Sequence, residues 1–378
     1  METRTLIIFA ILSMLMVFTS FGEYGTTCHA QETELYPVRV NGKEGYIDAT
    51  GRIVIKPHFD EVGEDFSEGL ALVKVGEKWG YVDKLGRIVI TPQFDNVRNF
   101  FEGLAAVKTN EKWGYIDKTG RIVINPQFDY AYRFSEGLAS IRIGSEDDGK
   151  YGFIDKTGKI VINPQFELAS TFKEGLSVVR IGKWTDWDYR YIDKTGDFYF
   201  NRSFYIATRF SEGLANVYYN SIERAYIDKT GKNVINLQSD YIYGEFKEGL
   251  ATVKSFEFVE DMKMDNVKFG FIDKTGRFVI NQQFDNADDF SDGLSCVRIG
   301  GKYGIGRYGF IDKTGTYIIN PQYDYAEGFK GGVAPVVINN QFHYIDKKGH
   351  VVWSNFETPS YITNAIADVI DNENRIRK

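Results

Sequence analysis

The chain has 378 residues, a formal net charge of −7 and only two cysteines. The acidic balance argues against a nucleic-acid-binding protein, because such proteins need an excess of Lys and Arg to neutralise phosphates. Two cysteines also exclude a disulfide-dense scaffold, so that a chain of this length must be held together by packing.

The first 30 residues have the pattern of a secretion signal. A short start with Arg4 leads into the uncharged run Leu6–Phe21, and a polar patch then ends at Ala30. The run is short for a membrane-spanning helix, which needs about 20 apolar residues. Small residues stand first and third before Gln31, as signal cleavage requires. We predict cleavage after Ala30 and an exported protein, whether periplasmic, surface-bound or secreted; an uncleaved membrane anchor is the alternative.

Cleavage after Ala30 leaves Cys296 as the only cysteine of the mature chain, so no internal disulfide can form. Cys296 lies in an alternating segment, LSCVRI, where a small buried hydrophobic side chain is the expected role. No histidine recurs near it in sequence, which argues against a catalytic thiol.

From Tyr36 to Trp353 the chain repeats one unit, of which Gly114–Leu138 (GYIDKTGRIVINPQFDYAYRFSEGL) is a clear example. Self-similarity at a fixed period is typical of repeat architectures. The aspartate that ends a Tyr-Ile-Asp type step, followed three residues later by glycine, recurs in nine copies: Asp48, Asp83, Asp117, Asp155, Asp193, Asp228, Asp273, Asp312 and Asp346. A second mark usually ends a Glu-Gly-Leu step, at Leu70, Leu104, Leu138, Leu176, Leu214, Leu250 and Leu294, with Val333 in the eighth place.

Three strands are predicted in each unit. Leu138–Ile143 (LASIRI), Lys150–Asp155 (KYGFID) and Lys159–Ile162 (KIVI) are examples of strand types that we name A, B and C. The Asp-x-x-Gly link between B and C fits a tight turn, in which the aspartate accepts backbone N–H groups and the glycine adopts positive φ. We therefore predict about nine three-stranded antiparallel meanders.

The two connections between strands differ in their tolerance of length. From each repeated aspartate to the next marker leucine the distance is 21 residues in five cases and 22 in two, whereas the distance onward to the next aspartate varies from 13 to 23. The first path, from C to the next A, is therefore geometrically constrained, and the A–B path is a surface loop.

The constrained connector carries two aromatic residues six positions apart, as in Phe128 and Phe134. This spacing predicts that they pack between neighbouring units. After the sixth strand C, Ser239 takes the first aromatic position, with Tyr241 nearby. Five connectors begin with a proline, which disfavours strand C as a central strand: Pro57, Pro92, Pro126, Pro164 and Pro321.

At Trp79–Asp83 (WGYVD) and Trp113–Asp117 (WGYID), each followed by Gly, Ile-Val-Ile and Glu-Gly-Leu, the sequence resembles the WG-repeat proteins of bacteria. The similarity covers about Tyr36–Trp353. The resemblance implies β-repeats and brings no catalytic residues with it. The fifth, sixth and ninth copies lack the glycine, and several others carry a different aromatic residue before it: Tyr151, Phe269 and Tyr308.

We predict an open β-superhelix. The first unit begins with a complete strand A, Pro37–Val40, and the last ends with a strand C, Val351–Trp353. Three strands are also fewer than the four of a propeller blade. A closed β-propeller is the alternative, and it would bring Tyr36 and Trp353 together.

The predicted organisation is a signal peptide at residues 1–30, repeats at 31–353 and a helical cap at 354–378. Ser360 is the expected N-cap of the helix, which would cover the open end of the last unit or, alternatively, dock a partner. Its apolar face would contain Ile362, Ala365, Ile366, Val369 and Ile370.

Differences between copies concentrate in four A–B insertions: residues 144–149, 182–188, 255–266 and 300–307. In a repeat array such insertions project from one face, which is often the binding face. Trp184 and Trp187, with Tyr303 in another insertion, are the candidate ligand contacts, since an exposed Trp can stack on a sugar or anchor a protein. The alternative is that both tryptophans fold back onto the sheet edge.

The repeated carboxylates are predicted to be structural. The Asp-x-x-Gly aspartates cap turns, and we prefer a structural role for the Glu of Glu-Gly-Leu, either bonding to a neighbouring unit's backbone or facing water. Nine equivalent carboxylates do not single out the acid/base pair of a glycosidase. The insertion at 255–266 could offer Glu260, Asp261 and Asp265 to a cation, but it lacks the spacing of a calcium loop.

The sequence predicts a non-enzymatic binding scaffold without cofactor or metal. Its partner would be a protein or an envelope glycan, recognised through the A–B loops, and not a nucleic acid. A glycan-active enzyme of the cell envelope and a purely structural envelope component are the alternatives.

Overall fold

The computed structural model describes residues 34–182, 187–238, 241–259, 263–300 and 306–367, with the backbone only at residue 241 and across 256–266. In this part of the chain nine sheets follow one another, each built from a consecutive stretch of sequence. They form a nine-bladed β-propeller with one short C-terminal helix at residues 360–367.

Blade 1 contains β1 (Leu35–Val40), β2 (Lys43–Asp48) and β3 (Ile53–Phe59), and blade 2 contains β4 (Glu61–Val62), β5 (Leu70–Val75), β6 (Lys78–Asp83) and β7 (Ile88–Phe94). Blade 3 contains β8 (Asn96–Val97), β9 (Leu104–Thr109), β10 (Lys112–Asp117) and β11 (Ile122–Phe128). Blade 4 contains β12 (Tyr130–Ser135), β13 (Leu138–Ile143), β14 (Lys150–Asp155) and β15 (Ile160–Phe166). Blade 5 contains β16 (Leu168–Ala169), β17 (Ser177–Ile181) and β18 (Asp188–Ile192). Blade 6 contains β19 (Ile206–Ala207), β20 (Ala215–Tyr218), β21 (Arg224–Ile227) and β22 (Asn233–Leu237).

Blade 7 contains β23 (Tyr241–Tyr243), β24 (Leu250–Val259), β25 (Lys263–Asp273) and β26 (Phe278–Phe284). Blade 8 contains β27 (Asn286–Ala287), β28 (Ser295–Ile299), β29 (Arg307–Ile311) and β30 (Tyr317–Tyr323). Blade 9 contains β31 (Tyr325–Ala326), β32 (Val333–Ile338), β33 (Gln341–Asp346) and β34 (Val351–Asn355).

Strands A, B and C are present as predicted, but most blades contain a fourth strand. The connector from C supplies it, usually as two residues such as β8, which pair with strand A of the next blade. We call this the inner strand, because in a propeller the first strand of each blade lines the central channel. Blade 1 has no inner strand among the described residues, and in blade 5 strand C is reduced to isolated bridges at Phe198 and Phe204.

The prediction of an open superhelix is wrong, because the two ends of the repeat region meet. The Tyr36 and Tyr344 rings are 5.5 Å apart, and the Tyr344 hydroxyl donates to the Pro37 carbonyl at 2.9 Å. Trp353 packs against the same buried cluster as Tyr36. The ends complement each other through side-chain contacts across the junction, and not by sharing one sheet, so complete terminal strands do not exclude closure.

Core packing between blades follows the predicted aromatic pairs. Phe128 and Phe134 are buried in one cluster, together with residues of blades 3 and 4. Tyr115 of blade 3 lies with its ring 4.9 Å from that of Phe134, and its hydroxyl donates to the Tyr132 carbonyl at 2.7 Å. Ser239 lies outside the described residues, and the Tyr241 side chain is not described. The prediction that the connectors carry the inter-blade core is therefore confirmed in the described blades.

The glycine of Trp-Gly-Tyr marks a close approach of two strands. Between Trp113 and Tyr115 the facing strand C bulges with two extra residues, which include Pro126. A Cβ at Gly114 would lie 2.5 Å from the Ile124 carbonyl oxygen. Ala225 and His343, which replace this glycine in blades 6 and 9, instead pair directly with a residue of strand C. The glycine and the bulged strand C therefore occur together.

The Glu-Gly step is a two-residue hairpin turn that also joins neighbouring blades. Glu136 has φ of 55° and Gly137 has φ of 89°, so both occupy the left-handed region. The Glu136 carboxylate accepts the Gly175 N–H of the next blade at 2.9 Å and lies 3.2 Å from Lys194 Nζ. The same bridge recurs from Glu68, Glu102, Glu174, Glu212, Glu248 and Asp292. The predicted structural role of these residues, as a bond to the neighbouring backbone, is confirmed.

Replacing Glu136 with Ala should lower the free energy of unfolding by about 1–2 kcal/mol, because a charge-assisted hydrogen bond is lost while the left-handed strain remains. Glu136→Gly loses the same bridge but relieves the strain, so it should be more stable than Glu136→Ala by about 1 kcal/mol. Guanidinium denaturation of both variants measures this. Equal stability of wild type and Glu136→Ala would contradict a bridging role.

The C-terminal segment lies at the junction of blades 1 and 9, and not on a free end of an array. Ile362 is fully buried there. The expected N-cap role of Ser360 is wrong, because the first helical hydrogen bond runs from the Thr363 N–H to the Pro359 carbonyl at 3.0 Å, which puts Pro359 at the N-cap. The Ser360 hydroxyl accepts Arg39 Nη1 at 3.1 Å. The Glu357 carboxylate accepts the backbone N–H groups of Asn41 and Gly42 at 2.9 and 2.7 Å. Residues 368–378 lie outside the described part, as do residues 1–30, which were predicted to be a signal peptide. Among the described residues no helix is long and apolar enough to span a membrane.

Candidate functional site

The two faces of the propeller have different contents. On one face, Asp129 of the connector binds Lys112 of blade 3 at 2.6 Å and accepts the Gly144 N–H of the blade 4 A–B turn at 2.8 Å. We call this the A–B face. On the other, the Glu-Gly turns meet the Asp-x-x-Gly turns, as Glu136 meets Lys194. We call this the Glu-Gly face. Because all described sheets share one strand order, their A–B turns lie on the A–B face.

Of the predicted ligand contacts, only Trp187 lies in the described part of the chain. Its side chain is 38% exposed, and the Arg180 guanidinium carbon lies 5.4 Å from its ring centre. Trp187 therefore keeps an open edge on the A–B face, at the start of β18. Trp184 and Tyr303 lie outside the described residues.

The insertion at 255–266 is an extension of a β-hairpin. Strands β24 and β25 have 10 and 11 residues, against six in most other A and B strands, and they remain paired as far as Val259 and Lys263. Four further residue pairs at about 3.3 Å each carry the hairpin some 13 Å beyond the frame. Glu260 and Asp261 lie outside the described residues, and the Asp265 side chain is not described. In the described part of the chain no group of acidic, His or Cys side chains is arranged to hold a metal ion.

A cavity of about 720 Å³ opens along the inner strands of blades 2 to 6. Its apolar wall includes Val97, Leu168 and the Phe101 ring. Its polar wall is formed mainly by the residue that precedes the second connector aromatic, which we call the channel position. Around the ring the channel position is occupied by Asp65, Asn99, Arg133, Thr171, Arg209, Glu245, Asp289 and Gly328. The first five of these line the cavity.

The basic part of the channel is in blades 3 to 6. Arg98 is fixed, because its Nε donates to the Ala131 carbonyl and its Nη2 to the Tyr130 hydroxyl. Arg133 instead packs on Phe101, with its guanidinium carbon 4.2 Å from the ring centre. Burial, and then the charge of Arg209, lower the pKa of Arg133. Three like charges, those of Arg98, Arg133 and Arg209, therefore line one cavity.

The acidic part of the channel is in blades 7 to 9 and blade 2. Burial, reinforced by Glu327 and Asp289, raises the pKa of Asp288 to about 6. Burial also raises the pKa of Glu327, and burial together with Asp65 raises that of Glu64. These carboxyl groups lie close enough to repel one another when ionised.

Asp288→Asn should therefore stabilise the protein at pH 8 by about 1–2 kcal/mol and leave its stability nearly unchanged at pH 4. The folded pKa lies above the unfolded value of 3.8, so the wild type loses stability as pH rises from about 4 to 6. Thermal unfolding at both pH values measures this difference, with the exposed Asp147→Asn as control. A stabilisation that is the same at both pH values would contradict the raised pKa.

The channel position is absent from the residues predicted to contact a ligand. A signal was present: Asp65, Arg133, Thr171 and Glu245 all directly precede the second aromatic residue of a connector, and their charges differ. That variation passed unnoticed because the connector was predicted to be packing alone, and an open superhelix has no channel for such a position to face.

Several solved structures are similar to this chain at low sequence identity. A eukaryotic initiation factor is similar with a TM-score of 0.60, at 11% identity, over 86% of this chain and 96% of the other. A dihydro-heme d1 dehydrogenase gives a TM-score of 0.43 at 12% identity over 85% and 72% of the two chains. A quinonprotein alcohol dehydrogenase-like protein from Bacteroides thetaiotaomicron gives 0.34 at 12% identity over 65% and 74%. Of these, only the initiation factor has a TM-score above 0.5, and at 11% identity that likeness concerns the fold alone.

No curated protein matches the sequence. The family described as WG containing repeat, in contrast, matches seven stretches: residues 45–79, 79–113, 113–146, 151–183, 225–255, 269–303 and 308–342. The unmatched interval before residue 225 includes the blade in which Arg190 replaces the glycine and strand C is incomplete. Since the matched stretches make up more than half of the sequence, this chain belongs to the WG-containing repeat family.

Proposed function

We propose that this propeller is an exported, non-catalytic scaffold that binds a protein or an envelope glycan at its A–B face. The observation that carries the proposal is that the A–B connections, the parts of the repeat that differ most in length, share one face. The opposite face is instead built from one repeated bridge between blades.

The physical argument concerns where recognition can vary without loss of the fold. The Glu-Gly turns are constrained on both sides, because each carboxylate binds the next blade. An A–B turn closes a hairpin and can be lengthened at small cost in free energy. The hairpin of β24 and β25 shows such an extension, and the partly exposed Trp187 offers an aromatic surface in another blade.

The mature chain from Gln31, immobilised and exposed to envelope extracts, tests the proposal. Two A–B face variants are compared with wild type: Trp184→Ala with Trp187→Ala, and replacement of residues 256–267 by Asn-Gly, which closes the hairpin at the Ser255–Lys268 pair. Both should lose the retained protein or glycan while their thermal midpoints change by less than about 3 °C.

Arg121→Gln is the matched control, because Arg121 lies in an Asp-x-x-Gly turn on the Glu-Gly face and is highly exposed. It should retain the same species as wild type. A species retained equally by wild type and both A–B face variants would place binding elsewhere. A large fall in the midpoint of the tryptophan variant would assign those side chains to the core.

Export is tested separately by N-terminal sequencing of the protein from its native compartment. A chain that begins at Gln31 supports cleavage after Ala30. A chain that retains residues 1–30 would contradict it and favour an anchor.

A further inference from the structure

We propose that the central channel, near its Glu-Gly face, binds an oxyanion-bearing ligand of sugar size, whose carboxylate or phosphate is held between Arg133 and Arg209. This site is independent of the A–B face and of the function proposed for it. The cavity of about 720 Å³ has a volume typical of small-molecule sites.

The first argument is the position of Arg133 in the ring of connectors. The residue before each Glu-Gly step alternates between serine in even blades and a bulky residue in odd blades. In blades 5, 7 and 9 the bulky residue is a lysine paired with a channel carboxylate: Lys173 with Glu245, Lys247 with Asp289 and Lys330 with Asp65. The acidic residues at channel positions are therefore neutralised by lysines that precede the Glu-Gly steps.

Blade 3 breaks this pattern at the place where the channel position turns basic. Phe101 stands where the other odd blades have lysine, and the Arg133 guanidinium packs on its ring at 4.2 Å. Within the described part of the chain no carboxylate lies within ion-pair distance of Arg133. Arg209 has only a long contact, 3.8 Å, to Glu245. Within the described part of the chain, the guanidinium groups of Arg133 and Arg209 therefore have no carboxylate in a close ion pair.

The second argument is energetic. Two guanidinium groups that share a partly buried cavity repel each other, and burial weakens the hydration that would compensate them. A protein of net charge −7 has many carboxylates with which such a pair could have been neutralised. Uncompensated charge of this kind is typical of functional sites, where binding of the opposite charge offsets the cost.

The chemistry of the lining identifies the ligand class. Guanidinium groups bind carboxylate and phosphate through two parallel N–H donors, which a single ammonium cannot do. Thr171 and Asn99 add a hydroxyl and an amide on either side of Arg133, as needed for sugar hydroxyls. Val97 and Leu168 supply the apolar wall on which a ring can lie.

Isothermal titration of the mature chain with three probes tests the site: trigalacturonate, glucose 6-phosphate and neutral maltotriose. We expect one or both anions to bind, with affinity that falls as salt rises, and maltotriose to bind at least tenfold more weakly. Preference for trigalacturonate would identify a carboxylate ligand, and preference for glucose 6-phosphate a phosphate ligand; either supports the site.

Arg133→Gln and Arg209→Gln should each reduce the affinity about tenfold or more. Arg121→Gln, which removes the same charge from the Glu-Gly rim, should leave affinity within twofold. Because the two channel arginines repel, Arg133→Gln should not lower the thermal midpoint. Failure of both anions to bind, equal binding of maltotriose, or unchanged affinity in both channel variants would overturn the proposal. The A–B face proposal would be unaffected by any of these results.

Discussion

Replacing Gly114 with alanine should lower the free energy of unfolding by about 3 kcal/mol, which is large for the addition of one methyl group. The Cβ would lie 2.5 Å from the Ile124 carbonyl oxygen and 2.6 Å from the Pro126 nitrogen. Both are backbone atoms, so no side-chain rotation can relieve the contact. Strand C would have to move away from β10, with loss of ladder hydrogen bonds.

The measurement is equilibrium denaturation, with Gly328→Ala as the matched control. The nearest heavy atom to a Cβ at Gly328 is 3.9 Å away, an ordinary contact, so that variant should lie within about 0.5 kcal/mol of wild type. The two variants add the same atom to the same chain. Equal stabilities would mean that the bulged strand C does not pass over Gly114.

Ile362→Ala should weaken closure of the ring by about 3 kcal/mol, since a fully buried side chain is removed from a cluster that joins both ends of the propeller. Ile362 packs with Tyr36 and Val38 of blade 1 and with Phe342 and Tyr344 of blade 9. The loss should be local, because repeat proteins transmit stability mainly between neighbouring units.

Hydrogen exchange separates this local effect from a general one. In Ile362→Ala, protection of the amides in β1 and β33 should fall about a hundredfold, while β13 and β14 in blade 4 should change little. Asn364→Ala, an exposed substitution on the same helix, is the control. Equal loss of protection in all blades would show that the junction of blades 1 and 9 does not open independently of the other blades.

Much of the frame could be predicted from local patterns. Strands A, B and C follow from alternation and β-branched residues, and the aromatic connector from its fixed length. The Asp-x-x-Gly turn also has the predicted chemistry: Asp117 accepts the backbone N–H groups of Thr119 and Arg121. These features depend on neighbours in sequence, which is why they recur along the chain.

Closure and the channel could not be predicted in the same way. An inner strand of two residues, such as Glu61–Val62, is too short to show a period. Contact between Tyr36 and Tyr344 depends on the angle accumulated over nine blades, which no single repeat encodes. The role of Arg133 as a channel residue depends on closure of the ring, because only a closed ring places Arg133 opposite other connectors.

Blade 1 is the exception in the Glu-Gly bridges. The bridges described above join blades 2 to 9, and at the seam Gly331 replaces the glutamate, while the Tyr36 hydroxyl donates to the Gly331 carbonyl at 2.9 Å. One side of blade 1 packs on blade 2. Its other side is held by residues that lie about 300 positions later, such as Ser360 beside Arg39. During synthesis one side of the first sheet therefore stays exposed until the ninth sheet has been synthesised and can pack against it. Assembly of this protein should therefore end with a slow long-range docking step, during which the unfinished ring is most vulnerable to proteases and to self-association.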